Sequence, residues 1–169
     1  MPMIPFMDRF PEVGARETKS VTVPPQQDLT EGEYGFVELY CDEPGCDCRR
    51  VTIDVLRPET GWSKVWATIS YGWESLDFYR KWSGSSSDPA QVKGPYLDPL
   101  NPQTRYSPSL LNLFRFLVQS PDYVARLGRH YRMFRESIDA ELGHTQETDR
   151  LENKRAGVRD PRRRRRHRH

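Results

Sequence analysis

All three cysteines of the chain fall within eight residues, in the stretch Cys41-Asp-Glu-Pro-Gly-Cys46-Asp-Cys48. No other feature restricts the fold so tightly. The Pro44-Gly45 pair supplies turn chemistry, so the four residues between Cys41 and Cys46 double back, and Cys46 and Cys48 present two sulfurs across a single residue. Aromatic and branched residues run from Tyr34 to Tyr40 ahead of the loop. Behind it, in residues 50–56, Val51, Ile53 and Val55 alternate with Thr52 and Asp54. Alternation with a period of two marks a half-buried strand. The loop is therefore expected to join two neighbouring strands.

An odd number of cysteines cannot close a complete disulfide framework. The chain also has no apolar run of the roughly 18 residues that a membrane span requires, and its first residues do not form a charged region followed by an apolar one. A cytoplasmic setting without a membrane partner is expected. In such a reducing compartment, clustered thiols serve metal binding or thiol chemistry better than cross-linking. Zinc is the expected cofactor, because it takes thiolates into a tetrahedral set and draws their protons away from a resting pKa near ~8.5. The predicted ligands are Cys41, Cys46 and Cys48, with His130 as the candidate fourth. Asp42 and Asp47 are the nearest carboxylates, and His144 lies further along. His130 falls at the boundary of a helical apolar face, where a histidine can also serve as a hydrogen-bonded edge of the core.

The remaining pattern predicts an α+β fold. After the turn signals of residues 58–61, Val65, Ala67, Ile69 and Tyr71 alternate with Trp66, Thr68 and Ser70. Short connections make the three strands an antiparallel meander, with the cysteine loop between strands one and two. Ser75 is placed to cap a short helix reaching Trp82, with Leu76, Tyr79 and Trp82 on one side. A Ser-, Gly- and Pro-rich connection over residues 83–106 is expected to pack over the sheet. Two C-terminal helices follow, opened by Ser107-Pro108 and Ser120-Pro121. The first covers residues 110–118. In the second, Val124, Leu127, Tyr131, Phe134, Ile138 and Leu142 recur at spacings of three and four.

Mean hydropathy is −0.83, which confines a core to the middle of the chain. Residues 1–33 read as an extended N-terminal arm, residues 34–143 as the α+β domain and residues 144–169 as a disordered basic tail. The net charge of +2 hides an asymmetry: residues 161–169 hold six of the 26 Lys and Arg. Removing them leaves 20 basic against 24 acidic residues, a formal −4 for residues 1–160. Weak, non-specific nucleic-acid binding is therefore expected only through the tail, from Arg162 to Arg168.

These features predict a zinc-stabilised interaction module for a macromolecular partner that the sequence does not specify. The alternative is a metal- or thiol-dependent enzyme centred on Cys41, Cys46 and Cys48. In that case Asp42, Glu43 or Asp47 would act as base, and Arg49 and Arg50 would hold an anionic substrate. A second candidate surface comprises Trp66, Trp73 and Trp82 with Arg80 and Lys81, which could stack bases or form core and lid. No phosphate loop, dinucleotide fingerprint, His-Glu-x-x-His helix or Gly-x-Ser-x-Gly elbow occurs.

Overall fold

The computed structural model describes residues 3–25, 28–58, 64–84 and 87–157, with side chains as far as residue 148. The strands are β1 (Met3–Pro5), β2 (Lys19–Val23), β3 (Gly32–Cys41), β4 (Arg50–Leu56), β5 (Val65–Gly72) and β6 (Tyr96–Leu97). The helices are α1 (Phe6–Arg9), α2 (Pro11–Glu17), α3 (Leu76–Ser83), α4 (Pro89–Lys93), α5 (Ser107–Leu117) and α6 (Pro121–Gly157). The class is α+β, and the meander β3-β4-β5 is antiparallel as expected. The sheet has six strands rather than three, in the order β1-β3-β4-β5-β6, with β2 also pairing β3.

The three added strands have a common cause. A long central strand such as β3 leaves a row of amides and carbonyls along any unpaired edge. β2 covers the first half of that edge, with Val23 opposite Gly32, and β1 covers the second, with Met3 opposite Cys41. Residues 1–33 are thus not an extended arm in their described part: they fold as β1-α1-α2-β2 and lie along β3. Phe6, only 3% exposed, inserts from this segment into the core. On the far side, β6 and the loop after it border β5, where the Asp98 amide donates to Thr68 O at 2.9 Å and Ser70 Oγ to Asp98 Oδ2 at 3.1 Å. The long connection thus extends the sheet at its β5 edge rather than packing over it.

Strand register places Phe36, Val55 and Ala67 in one row of the sheet and Glu38, Ile53 and Ile69 in the next. All but Glu38 are apolar. The helices α5 and α6 cover this face, Phe114 stacking 6.1 Å from Phe36 and Phe134 lying 5.7 Å from Tyr40. The apolar stripe of α6 is buried as predicted at Leu127, Tyr131, Phe134 and Ile138.

The helices differ from expectation in three places. Ser107 is the first residue of α5 rather than its cap, and its hydroxyl donates to Trp66 O at 3.0 Å, fixing α5 to β5. Ser75 does cap α3, accepting from the Phe78 amide at 3.1 Å, but only Tyr79 of that helix is buried, while Leu76 and Trp82 remain exposed. The long helix does not stop at Gly143 but continues to Gly157. Its last turns need no apolar face because Glu147, Arg150, Leu151, Lys154 and Ala156 are intrinsically good helix formers. Residues 158–169, which carry the arginine run, lie outside the described residues.

Candidate metal centre

The cysteine loop is set by the hairpin around it. β3 ends at Cys41 and β4 begins at Arg50, and the Leu39–Thr52 pair holds the two loop ends side by side. Within the loop the Cys46 amide donates to Glu43 O at 3.2 Å, and Gly45 takes the left-handed conformation, φ 71°, that a residue without Cβ adopts freely. Arg49 is also left-handed, at φ 47°. For a side-chain-bearing residue that conformation requires support from its surroundings. The support is visible: the Arg49 guanidinium bonds Asp47 at 2.8 and 3.1 Å and Glu74 at 3.2 Å, and its carbonyl accepts from Tyr79 Oη at 2.7 Å. The bend at Arg49 turns the chain into β4.

The result is a cluster in which the sulfurs of Cys41, Cys46 and Cys48 all lie within 4.8 Å of one another. None is in a disulfide. Cys41 and Cys48 are buried, while Cys46 is half-buried. Burial pushes the Cys41 thiol upward against the opposing Glu43 amide, which donates to its sulfur. Burial and the adjacent Cys46 push Cys48 up to about 12, again against an amide, that of Arg50. Two opposed influences therefore meet at the same atoms. The low-dielectric surroundings disfavour thiolates, while the N–H donors are arranged to receive them. A divalent cation resolves the conflict by supplying the missing charge, and three converging thiols can hold one.

Helix α6 locks the loop from the side. Arg135, 9% exposed, donates through Nη1 to Cys41 O at 3.2 Å and Glu43 O at 3.0 Å. Tyr131 Oη lies 3.5 Å from Cys46 O. Neither residue stood out in the sequence as part of the loop. Arg135 looked like one more charge on a helix, and the only available hint was that it sits one position from Phe134 on the apolar stripe. Beside the cluster opens a cleft of about 550 Å³, lined among others by Cys46, Trp73, Tyr131, Arg132 and Glu136.

His130 is not the fourth ligand. It is 1% exposed, with Nδ1 2.7 Å from Glu38 Oε2 and Nε2 3.2 Å from Glu17 Oε2, so both ring nitrogens face carboxylates. Phe6 stacks on the ring at 4.2 Å between centroids. The boundary position of His130 on the helix is filled by the N-terminal segment, which the sequence had left outside the domain. Among the described residues no other His, Asp or Glu joins the three thiols in one group. Asp47 is paired with Arg49, and His144 sits on the exposed end of α6.

The residues expected to hold an anion are already engaged, Arg49 by Asp47 and Glu74 and Arg50 by Tyr96 Oη at 2.7 Å, and of the candidate bases Asp47 is taken up by Arg49. The aromatic set does not form one platform. Trp66 is buried 4.9 Å from Tyr106, Arg80 pairs with Asp77, and Trp73 faces the thiol cleft. No helix among the described residues is long and apolar enough to cross a membrane.

Fold and site together define an α+β protein with a three-thiol cluster at the mouth of its central hairpin. Comparisons with protein-family models, curated proteins and solved structures each give no match.

Proposed function

We propose that the chain is a zinc-binding interaction module in which Cys41, Cys46 and Cys48 hold one ion that staples the β3–β4 loop against α6. The observation that carries this reading is the convergence of the three sulfurs within 4.8 Å in a loop whose own amides point at two of them. Zinc is the metal best matched to thiolates in a compartment that keeps them reduced. The ion's role is structural, because the loop has little apolar substance of its own and the backbone contacts from Arg135 hold its frame rather than a substrate.

An interaction role is supported by surface that the fold does not use for its own core. Phe116 is 68% exposed beside a groove of about 970 Å³ that also carries Lys19, Arg126 and Arg129. The arginine tail adds a separate, sequence-indifferent affinity for nucleic acid. About five phosphate contacts would give a slope of log affinity against log salt of roughly −4 on duplex DNA.

The test is elemental analysis of reduced, untagged protein. The expected result is close to one zinc per chain, lost in Cys46→Ser together with thermal stability. Metal-free protein that melts at the same temperature as Cys46→Ser would contradict the reading.

A further inference from the structure

The cleft beside the thiols has two dissimilar ends. At one end is Cys46, the half-buried member of the triad, with Cys41 and Cys48 buried. At the other end, Gly128 brings two side chains together. A Cβ built on it would lie 3.7 Å from Trp73 Nε1 and 3.8 Å from Arg132 Nη1. The indole and the guanidinium therefore share one wall, facing the space next to the sulfurs.

The charges of this wall can be sorted by what they bind. Arg49 is committed to Asp47 and Glu74. Arg135 is committed to Cys41 O, Glu43 O and Asp139. Arg132 differs from both, since among the described residues it has no hydrogen-bond or ion-pair partner, and the one carboxylate left over in the cleft is Glu136. An uncommitted guanidinium on a wall with an indole N–H is a recognition element for a planar anion.

A zinc ion with three thiolates carries a formal −1, and a further anionic ligand raises that to −2. Such a ligand needs a cation nearby. The described residues supply three donors to the ion, and the cleft that Cys46 lines is lined by Arg132 as well. We propose that this fourth position takes an exogenous ligand: a small thiol bearing a carboxylate, its sulfur on the ion and its carboxylate on Arg132. The sulfur end follows from the preference of thiolate-rich zinc for soft donors, and the carboxylate end from the bidentate geometry of guanidinium. This inference rests on the metal reading above and assigns that site a ligand.

Cobalt-substituted full-length protein separates the two. Charge-transfer absorption from thiolate to cobalt reports the metal site, and the visible ligand-field bands report its fourth ligand. The expected result is a band shift on titration with 3-mercaptopropionate, about tenfold tighter than with the uncharged 2-mercaptoethanol, as one charge-assisted contact implies, and none with propionate. Arg132→Gln should erase the tenfold preference while keeping the charge-transfer band, and Glu136→Gln should enlarge the preference. Ligand-field bands that no thiol perturbs would overturn the proposal and leave the metal reading intact. A tenfold preference that survives in Arg132→Gln would remove Arg132 from the site and overturn it as well. Absence of the charge-transfer band would overturn the metal reading, and this proposal with it.

Discussion

Two polar clusters lie on opposite flanks of helix α6, and they are built on opposite plans. On one flank, His130, Glu38, Glu17 and Tyr40 pair with one another, all of the contacts to Glu38 falling on Oε2. Glu38 Oε2 receives the Tyr40 hydroxyl at 2.8 Å and faces His130 Nδ1 at 2.7 Å, while Glu17 joins His130 to Arg129. On the other flank, three sulfurs converge with amides aimed at two of them and no protein cation among them. The first cluster closes on protein partners save for Glu38 Oε1, which is buried with none among the described residues, and the second is a group of thiols that could hold a metal ion. A closed buried network fixes one packing arrangement, whereas convergent donors without a partner mark a ligand site.

The largest effect expected inside the protein comes from the closed cluster. Replacing His130 with Ala removes a partner of the buried Glu38, 4% exposed, and leaves it only the Tyr40 hydroxyl, a change that costs about 3–5 kcal/mol. Thermal or denaturant unfolding of His130→Ala measures it, and the loss should be the same with and without a chelator. A chelator-dependent loss would mean that the two clusters are one site.

Arg135→Ala ranks next, because it removes two backbone contacts that brace the thiol loop. Hydrogen bonds from a charged donor are worth roughly 1.5–3 kcal/mol each when buried, with strong overlap between neighbours. A loss of about 2 kcal/mol is expected, together with faster zinc transfer to a competing chelator. Unchanged transfer kinetics would show that α6 does not hold the loop.

Glu17 sharpens the comparison through pH. Its partial burial acts to raise its pKa, but the hydrogen bond to His130 and the Arg129 charge outweigh that and hold the carboxyl below the usual range. The folded state therefore favours the ionised form. Glu17 contributes its full stability above the ordinary carboxylate pKa of about 4.3 and loses it as pH falls through the lower folded value. Glu17→Gln should be less stable than the parent protein near neutrality by about 1 kcal/mol, and the two should converge under acid. A gap that persists at low pH would assign the effect to packing.

The smallest effect is expected from the end of α6. Truncation after Glu147 removes the last turns of α6, and with residues 144–147 before the cut exposed, melting should shift by no more than about 0.5 kcal/mol. A large shift would place these turns against the domain.

The difference between the flanks also explains what was legible in the sequence. The thiol loop is local, with its donors inside eight residues, and the strands beside it show clean alternation at Val51, Ile53 and Val55. Both could be read directly. The closed cluster is assembled from α2, β3 and α6 under a cover from α1, and no local pattern links Phe6 to His130. Strand β1 has three residues, all half-buried, and β2 has five of which only Val23 is buried, so edge pairing to β3 left little periodic trace. Glu38 is hidden for a different reason: nothing local in the run from Tyr34 to Tyr40 marks which face its single charge takes, and it is the one charge in its row of the inward face. Past Gly143 the missing apolar period suggests a disordered tail, whereas the helix continues to Gly157 with residues 144–148 exposed.

The central claim is that the open flank is completed by a metal on the three thiols. X-ray absorption at the zinc edge of the reduced full-length protein tests it most directly, since sulfur and lighter ligands scatter at different distances. The account predicts at least three sulfurs at about 2.3 Å from the zinc, falling by one in Cys46→Ser protein reconstituted with the metal. A shell of nitrogen and oxygen alone at about 2.0–2.1 Å, or a shell unchanged in Cys46→Ser, would contradict it.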